Sequence, residues 1–88
     1  MLLGESLHRF FQALSEEITG EWKAVGRNLN VTDAQLHQIE IDNAGNIKET
    51  IYAMFLHWLQ HGGTSATRST LSSALKDAGR TDLASDLD

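Results

Sequence analysis

Apolar residues that recur every three or four positions, in six separate segments, constrain the fold of this 88-residue chain more than any other feature. This spacing places the apolar side chains on one face of an amphipathic helix. A half-buried strand would alternate apolar and polar residues, and no segment does so. The first series is Leu3, Leu7, Phe10, Phe11, Leu14 and Ile18. The sequence therefore predicts an all-α protein.

Residues that start or stop helices separate these segments, because Thr and Asn cap helix N-termini and glycine readily ends a helix. The predicted signals are Thr19-Gly20, a capping box of Thr32 with Gln35, Asn46 with Glu49, Gly62-Gly63, Thr67, Gly79 and Thr81. The apolar positions that they enclose are Trp22, Val25 and Leu29; Leu36 and Ile39; Ile47, Ile51, Met54, Phe55, Trp58 and Leu59; Leu71, Ala74, Leu75 and Ala78; Leu83, Ala84 and Leu87. Six short helices with short loops predict an antiparallel bundle, with the fourth and most apolar helix at its centre.

Length and composition limit the class of protein. Eighty-eight residues suffice for one domain, so we expect a single module over residues 1–88. The absence of cysteine excludes disulfides and thiolate metal sites. The opening Met-Leu-Leu-Gly lacks a basic leader and a long apolar run, so we expect neither a signal peptide nor a membrane span here.

The charge pattern disfavours nucleic-acid binding, which requires clustered Lys and Arg. The formal net charge is −5, and the basic residues are scattered over the chain. They are Arg9, Lys23, Arg27, Lys48, Arg68, Lys76 and Arg80. A helix-turn-helix nucleic-acid-binding domain nevertheless stays open as an alternative, as does a structural helical domain of a larger protein.

Candidate catalytic and metal-binding residues lack the partners that such chemistry needs. His57 and His61 lie four apart on the predicted fourth helix, but Trp58 follows His57 where a metalloprotease motif has its glutamate. No third ligand is evident, so we predict no metal site and no cofactor. No nucleophile elbow or glycine-rich loop frames a serine, so we expect no enzyme. Asn30 matches a glycosylation acceptor, but we interpret it as the end of a helix.

Four pieces of the sequence together resemble the death domain family. They are Trp22 with the run V-G-R-N-L-N-V-T at 25–32, D-A-Q-L-H-Q-I-E at 33–40, Y-A-M-F-L-H-W at 52–58, and Gly63, Ala66-Thr67, Leu71 and Ala74-Leu75. Gly79 and the Leu83/Leu87 pair complete the pattern, so the resemblance extends from about Leu7 to Leu87. Residues 35–43 are also similar to the ankyrin death domain. Gly26 stands where the family usually has alanine, which lowers helix propensity by up to about 1 kcal/mol. Asn30 replaces the usual glycine and tolerates a left-handed backbone.

The resemblance implies a six-helix bundle without catalytic chemistry that binds other death domains and can self-assemble. Such modules act in apoptotic or inflammatory signal transduction, as cytoplasmic parts of a receptor, adaptor or kinase. We therefore expect this chain to be one domain of a larger protein. Other death-domain proteins, or further copies of this chain, are the expected partners.

The resemblance also implies two contacts between neighbouring domains. In the first, Arg9 and Lys48 on helices one and four face Asp33, Glu40 and Asp42 on helices two and three of the next domain. Lys23 and Arg27, four apart on an exposed face of helix two, are further candidate interaction residues. In the second, the end of helix four and the following loop face helices five and six. Thr64, Ser65 and Arg68 lie near the first side, and the other side offers Asp77, Arg80, Asp82 and Asp86.

Overall fold

The chain folds into six α-helices in the computed structural model, which describes the backbone of residues 3–87 and the side chains of residues 9–64 and 66–85. The helices are α1 Leu3–Glu17, α2 Trp22–Asn28, α3 Asp33–Asp42, α4 Ile47–His61, α5 Arg68–Asp77 and α6 Thr81–Leu87, with a 3-10 turn at Gly63–Ser65. No strand occurs among the described residues, so the predicted all-α class and number of helices are confirmed. The side chains of Leu3, Leu7, Ser65, Asp86 and Leu87, which carried predictions, lie outside the described set.

Three of the predicted helix caps form the predicted hydrogen bonds. The backbone N–H of Gln35 donates to Thr32 Oγ1 at 3.2 Å, and the Thr32 N–H donates to Gln35 Oε1 at 3.0 Å, which completes the capping box. Asn46 accepts from the backbone of Glu49 at the start of α4, and Thr67 accepts from the backbone of Thr70 in α5. Thr81 differs from its prediction, since it is the first residue of α6 rather than its cap.

Four residues between the described helices have positive φ, and Asn30 and Gly79 are two of them. Asn30 has φ of 68° after α2, as predicted from its tolerance of left-handed geometry. Gly79 has φ of 86° after α5, and the Arg80 N–H donates to the Leu75 carbonyl at 2.8 Å. This arrangement is a Schellman motif, which satisfies the last carbonyls of α5 and turns the chain directly into α6.

The core is built around α4, which packs against α1, α2 and α3, and this confirms its predicted central position. The Phe11 ring of α1 stacks on Phe55 of α4, with centroids 5.0 Å apart, and meets Trp58 edge-on at 6.1 Å. Trp22 and Trp58 are each only 4% exposed. Burial of such large rings is the main source of stability in a core of this size. Both tryptophans are therefore structural, as the helical spacing indicated.

Gly26 is buried in α2 and faces Leu36 of α3 and Met54 of α4. A Cβ atom placed at Gly26 would lie 2.6 Å from Cδ2 of Leu36 and 3.5 Å from Cγ of Met54. Real Cβ contacts are not found below 3.0 Å, and Leu36 is itself 1% exposed. The glycine that departs from the family pattern is thus explained by the close packing of α2 on Leu36.

Candidate interaction surfaces

Candidate interaction residues of helices two and three form two exposed ion pairs that join α2 to α3. Lys23 Nζ lies 3.2 Å from Glu40 Oε1, and Arg27 Nε donates to Asp33 Oδ1 at 2.7 Å. Their side chains are between 40% and 76% exposed. We refer to Lys23, Arg27, Asp33 and Glu40 as the α2/α3 surface. This surface therefore presents both positive and negative side chains to a partner.

The helix-one and helix-four residues of the first predicted contact lie on α1 and α4. These two helices pack together through the stacked rings of Phe11 and Phe55. Lys48 Nζ of α4 lies 3.3 Å from Glu16 Oε1 of α1, and both side chains are about 60% exposed. Arg9 is exposed on α1. We refer to Arg9, Glu16 and Lys48 as the α1/α4 surface. Glu16 was not predicted, because a pair separated by 32 positions leaves no local pattern in a sequence.

Arg80 differs from the other predicted contact residues because its side chain is only 23% exposed. Its guanidinium donates to the Glu21 carboxylate, to the Glu17 carbonyl at 3.3 Å and to the Asp82 carboxylate at 3.1 Å. These bonds tie the start of α6 to the end of α1 and the turn before α2. Arg80 brings together residues that the sequence pattern did not connect, and Glu21 was not predicted as a functional residue.

The ionisation of this cluster follows from its hydrogen bonds. Donation by Arg80 lowers the pKa of the Glu21 carboxyl from its ordinary 4.5 to about 2. The same guanidinium lowers the pKa of the Asp82 carboxyl, and the two carboxylates raise the pKa of Arg80. All three groups are therefore charged at neutral pH, and the cluster carries a net charge of −1.

The remaining predicted contact residues are exposed in different settings. Asp42 accepts a hydrogen bond from Gln38 at 2.9 Å. The guanidinium carbon of Arg68 lies 5.3 Å from the centroid of the Phe10 ring, within the range of a cation–π contact. Asp77 is exposed at the end of α5. The structure thus distributes the predicted residues over several surfaces instead of gathering them at one site.

Two isoleucines are exposed, which the apolar pattern of the sequence did not indicate. Ile47 was assigned to the apolar stripe of the fourth helix, but its side chain is 50% exposed, and Ile41 is 54% exposed. Ile47 lies in the first turn of α4, before that helix reaches the core at Thr50 and Ile51. Helical spacing gives the face of a residue and not the point at which the helix enters the core. The prediction for Ile47 was therefore wrong.

The two histidines of α4 contact one another. The ring centroids of His57 and His61 lie 4.3 Å apart, and burial together with the neighbouring His61 lowers the pKa of His57. Within the described part of the chain, no three His, Cys, Asp or Glu side chains are grouped so that they could hold a metal ion. Among the described residues, no helix combines the length and the apolar character that crossing a membrane requires.

A protein-family model described as Death domain matches residues 5–88. The matched range includes all six helices apart from the first residues of α1. It also includes every residue of the α1/α4 and α2/α3 surfaces.

Proposed function

This chain belongs to the death domain family, and from that premise we propose that it binds other death domains, and further copies of itself, through the α1/α4 and α2/α3 surfaces. A death domain is a protein–protein interaction module of death signalling, and the family is non-enzymatic. The proposed role is that of an adaptor-like oligomerisation module in apoptotic or inflammatory signalling. We further propose that it acts in the cytoplasm as one domain of a larger protein.

The observation that carries the proposal is the matching charge content of the two surfaces. The α1/α4 surface offers Lys48 and Arg9 beside Glu16, while the α2/α3 surface offers Glu40 and Asp33 beside Lys23. When the surface of one domain meets the other surface of the next, Lys48 can pair with Glu40 while Glu16 pairs with Lys23. Such a contact is heterologous, and repeated addition of domains would therefore build an open assembly.

The ion pairs within each domain do not oppose this exchange strongly. Exposed pairs contribute about 0–1 kcal/mol each, because water solvates both groups and two long side chains must be held in place. Replacing an intramolecular pair with an intermolecular one therefore costs little. The charges instead select among partners, because two like charges placed against one another at an interface cost several kcal/mol.

We also propose the second predicted contact, with a different role for Arg80. Arg68, Asp77 and Asp82 are exposed and could meet a neighbouring domain. Arg80 is mostly enclosed by Glu21, Glu17 and Asp82, so we propose that it acts by fixing the start of α6. It is then a positioning residue for this contact.

Charge reversal tests the first contact. We expect Glu40→Lys or Lys48→Glu to abolish self-assembly, or binding to a partner death domain, as measured by light scattering and pull-down. Each variant loses only one exposed pair, so circular dichroism should show an unchanged fold. The Glu40→Lys/Lys48→Glu double variant should recover part of the assembly. A mixture of the two single variants should not build full assemblies.

Ser73 provides the matched controls, since it is exposed in the middle of α5 and belongs to neither surface. Ser73→Lys and Ser73→Glu change the charge in the same directions without touching the proposed contact, and both should assemble normally. If Glu40→Lys and Lys48→Glu also assemble normally, the α1/α4 to α2/α3 contact is not used by this protein. If the Ser73 variants fail as well, net charge rather than the contact governs assembly.

A further inference from the structure

A groove between α1 and α6 combines an apolar floor with an acidic rim. It has a volume of about 420 Å³. The floor is formed by Phe10, Leu14 and Leu83, and the exposed Ala13 forms part of its wall. Ala13 has a short side chain, so it leaves room above Leu14 and Leu83 for a side chain from another molecule.

The rim of the groove carries an excess of negative charge. The carboxylates of Glu16, Glu17 and Asp82 line it. Lys48 contacts Glu16 and Arg80 contacts Asp82, but Arg80 is shared with Glu21. The guanidinium carbon of Arg68 also lies 5.3 Å from the centroid of the Phe10 ring, so four carboxylates are set against three cations in this region. The chain as a whole has a formal net charge of −5.

We propose that this groove binds a basic amphipathic segment of a partner protein, with large apolar side chains on the floor and flanking Lys or Arg against the rim. Charge complementarity favours this occupant, because the carboxylates of the rim attract Lys and Arg side chains. An amphipathic helix laid in an apolar groove is an established way of recognising a peptide. The groove shares Glu16 with the α1/α4 surface and Asp82 with the second proposed contact, but its apolar residues belong to neither contact, so the proposal does not rest on them.

A designed peptide can test this chemistry directly. The probe is a fluorescein-labelled helical peptide of Leu and Lys, with leucines three and four positions apart, measured by fluorescence anisotropy at low salt. Two matched peptides carry Ser in place of every Leu, or Glu in place of every Lys. We expect only the Leu/Lys peptide to bind with saturation, and amide NMR shifts on binding to fall in α1 and at the start of α6.

Variants of the full chain separate the groove from net charge. Glu17→Gln and Ser73→Lys each raise the net charge by one, but only Glu17 lines the groove. We expect Glu17→Gln to weaken binding about threefold and Glu17→Lys about tenfold, whereas Ser73→Lys should change it by less than about twofold. Ala13→Phe fills the groove without any change of charge, and this variant should also weaken binding.

Several results would overturn the proposal. Equal binding of the Ser/Lys peptide would mean that the apolar floor has no part in recognition. An equal loss of peptide affinity in Ser73→Lys and Glu17→Gln would mean that only long-range attraction to an acidic protein holds the peptide. Shift changes outside α1 and α6, or unchanged binding by an Ala13→Phe variant shown to be folded by circular dichroism, would place the peptide elsewhere.

Discussion

Gly26→Ala is expected to destabilise the protein, although alanine is the better helix former. Two opposing contributions decide whether the free energy of unfolding rises or falls. Replacing glycine by alanine inside a helix is favourable by up to about 1 kcal/mol. The new Cβ, however, would lie 2.6 Å from Leu36 Cδ2, so that methyl group must move by about 1 Å to reach an ordinary contact. Leu36 is 1% exposed, so its methyl group can move only by displacing or repacking among other core side chains.

Overpacking of a filled core by one methyl group costs about 1–3 kcal/mol. Subtracting the gain in helix propensity leaves an expected net loss of about 1 kcal/mol in the free energy of unfolding. Urea titration followed by tryptophan fluorescence measures this loss, since Trp22 and Trp58 are both buried. Gly20→Ala is the control, because nothing lies within 4 Å of its Cβ position and its φ is not positive. It should stabilise by about 0.5 kcal/mol, through the lower entropy of the unfolded chain.

A double-mutant cycle with Leu36→Val then identifies the clash as the cause. Valine lacks the Cδ atoms that approach Gly26, so Leu36→Val should cost about 1 kcal/mol in the parent and clearly less in the Gly26→Ala background. Additive effects, or a Gly26→Ala protein about 1 kcal/mol more stable than the parent, would refute the reasoning. Leu36 would then move freely, and helix propensity alone would govern this position.

Other perturbations test the core, the Arg80 cluster and the histidine pair. Trp58→Ala should cost about 3–5 kcal/mol in the free energy of unfolding, most of the stability of a domain this size, and a variant that melts like the parent would contradict the core assignment. The Glu21 pKa lies below its ordinary value, so the Arg80 contact stabilises above about pH 4.5 and is lost as the pH falls towards 2. Urea titration can compare the free energy of unfolding of the parent with that of Glu21→Gln. Because both groups remain partly exposed, the parent should be more stable by about 1 kcal/mol at neutral pH and by close to zero near pH 2. A difference in stability that does not change with pH would exclude this linkage. Zinc in modest excess should leave the melting temperature unchanged, whereas a saturable, chelator-reversible rise would reveal a site at His57 and His61.

The features predicted from sequence are those that depend on neighbouring residues. The capping box of Thr32 and Gln35 closes within one turn, and the left-handed Asn30 follows from the residue's own backbone preference. Helical spacing also identified Trp22 and Trp58 as core residues. Each of these signals lies within a few positions along the chain, where local geometry decides the outcome.

The features that were missed depend on residues distant in sequence. Glu16 meets Lys48 across 32 positions, and Glu21 meets Arg80 across 59. Many other acidic residues could have been chosen as partners, so charge alone does not select these pairs. The contact of Gly26 with Leu36 also depends on how closely two helices pack. The groove between α1 and α6 likewise exists only once the helices have assembled.

The Arg80 bridge has a consequence for the kinetics of unfolding. It joins the α5–α6 junction to the α1–α2 turn, which are about sixty positions apart, so it can form only after both ends of the chain have reached their native places. Contacts that are absent from the folding transition state slow unfolding without speeding folding. We expect Arg80→Gln to accelerate unfolding in stopped-flow experiments and to leave the refolding rate nearly unchanged; a matching loss in refolding rate would show that the bridge forms early. The lifetime of the native state would then depend on one guanidinium group that contributes little to the speed with which the chain folds.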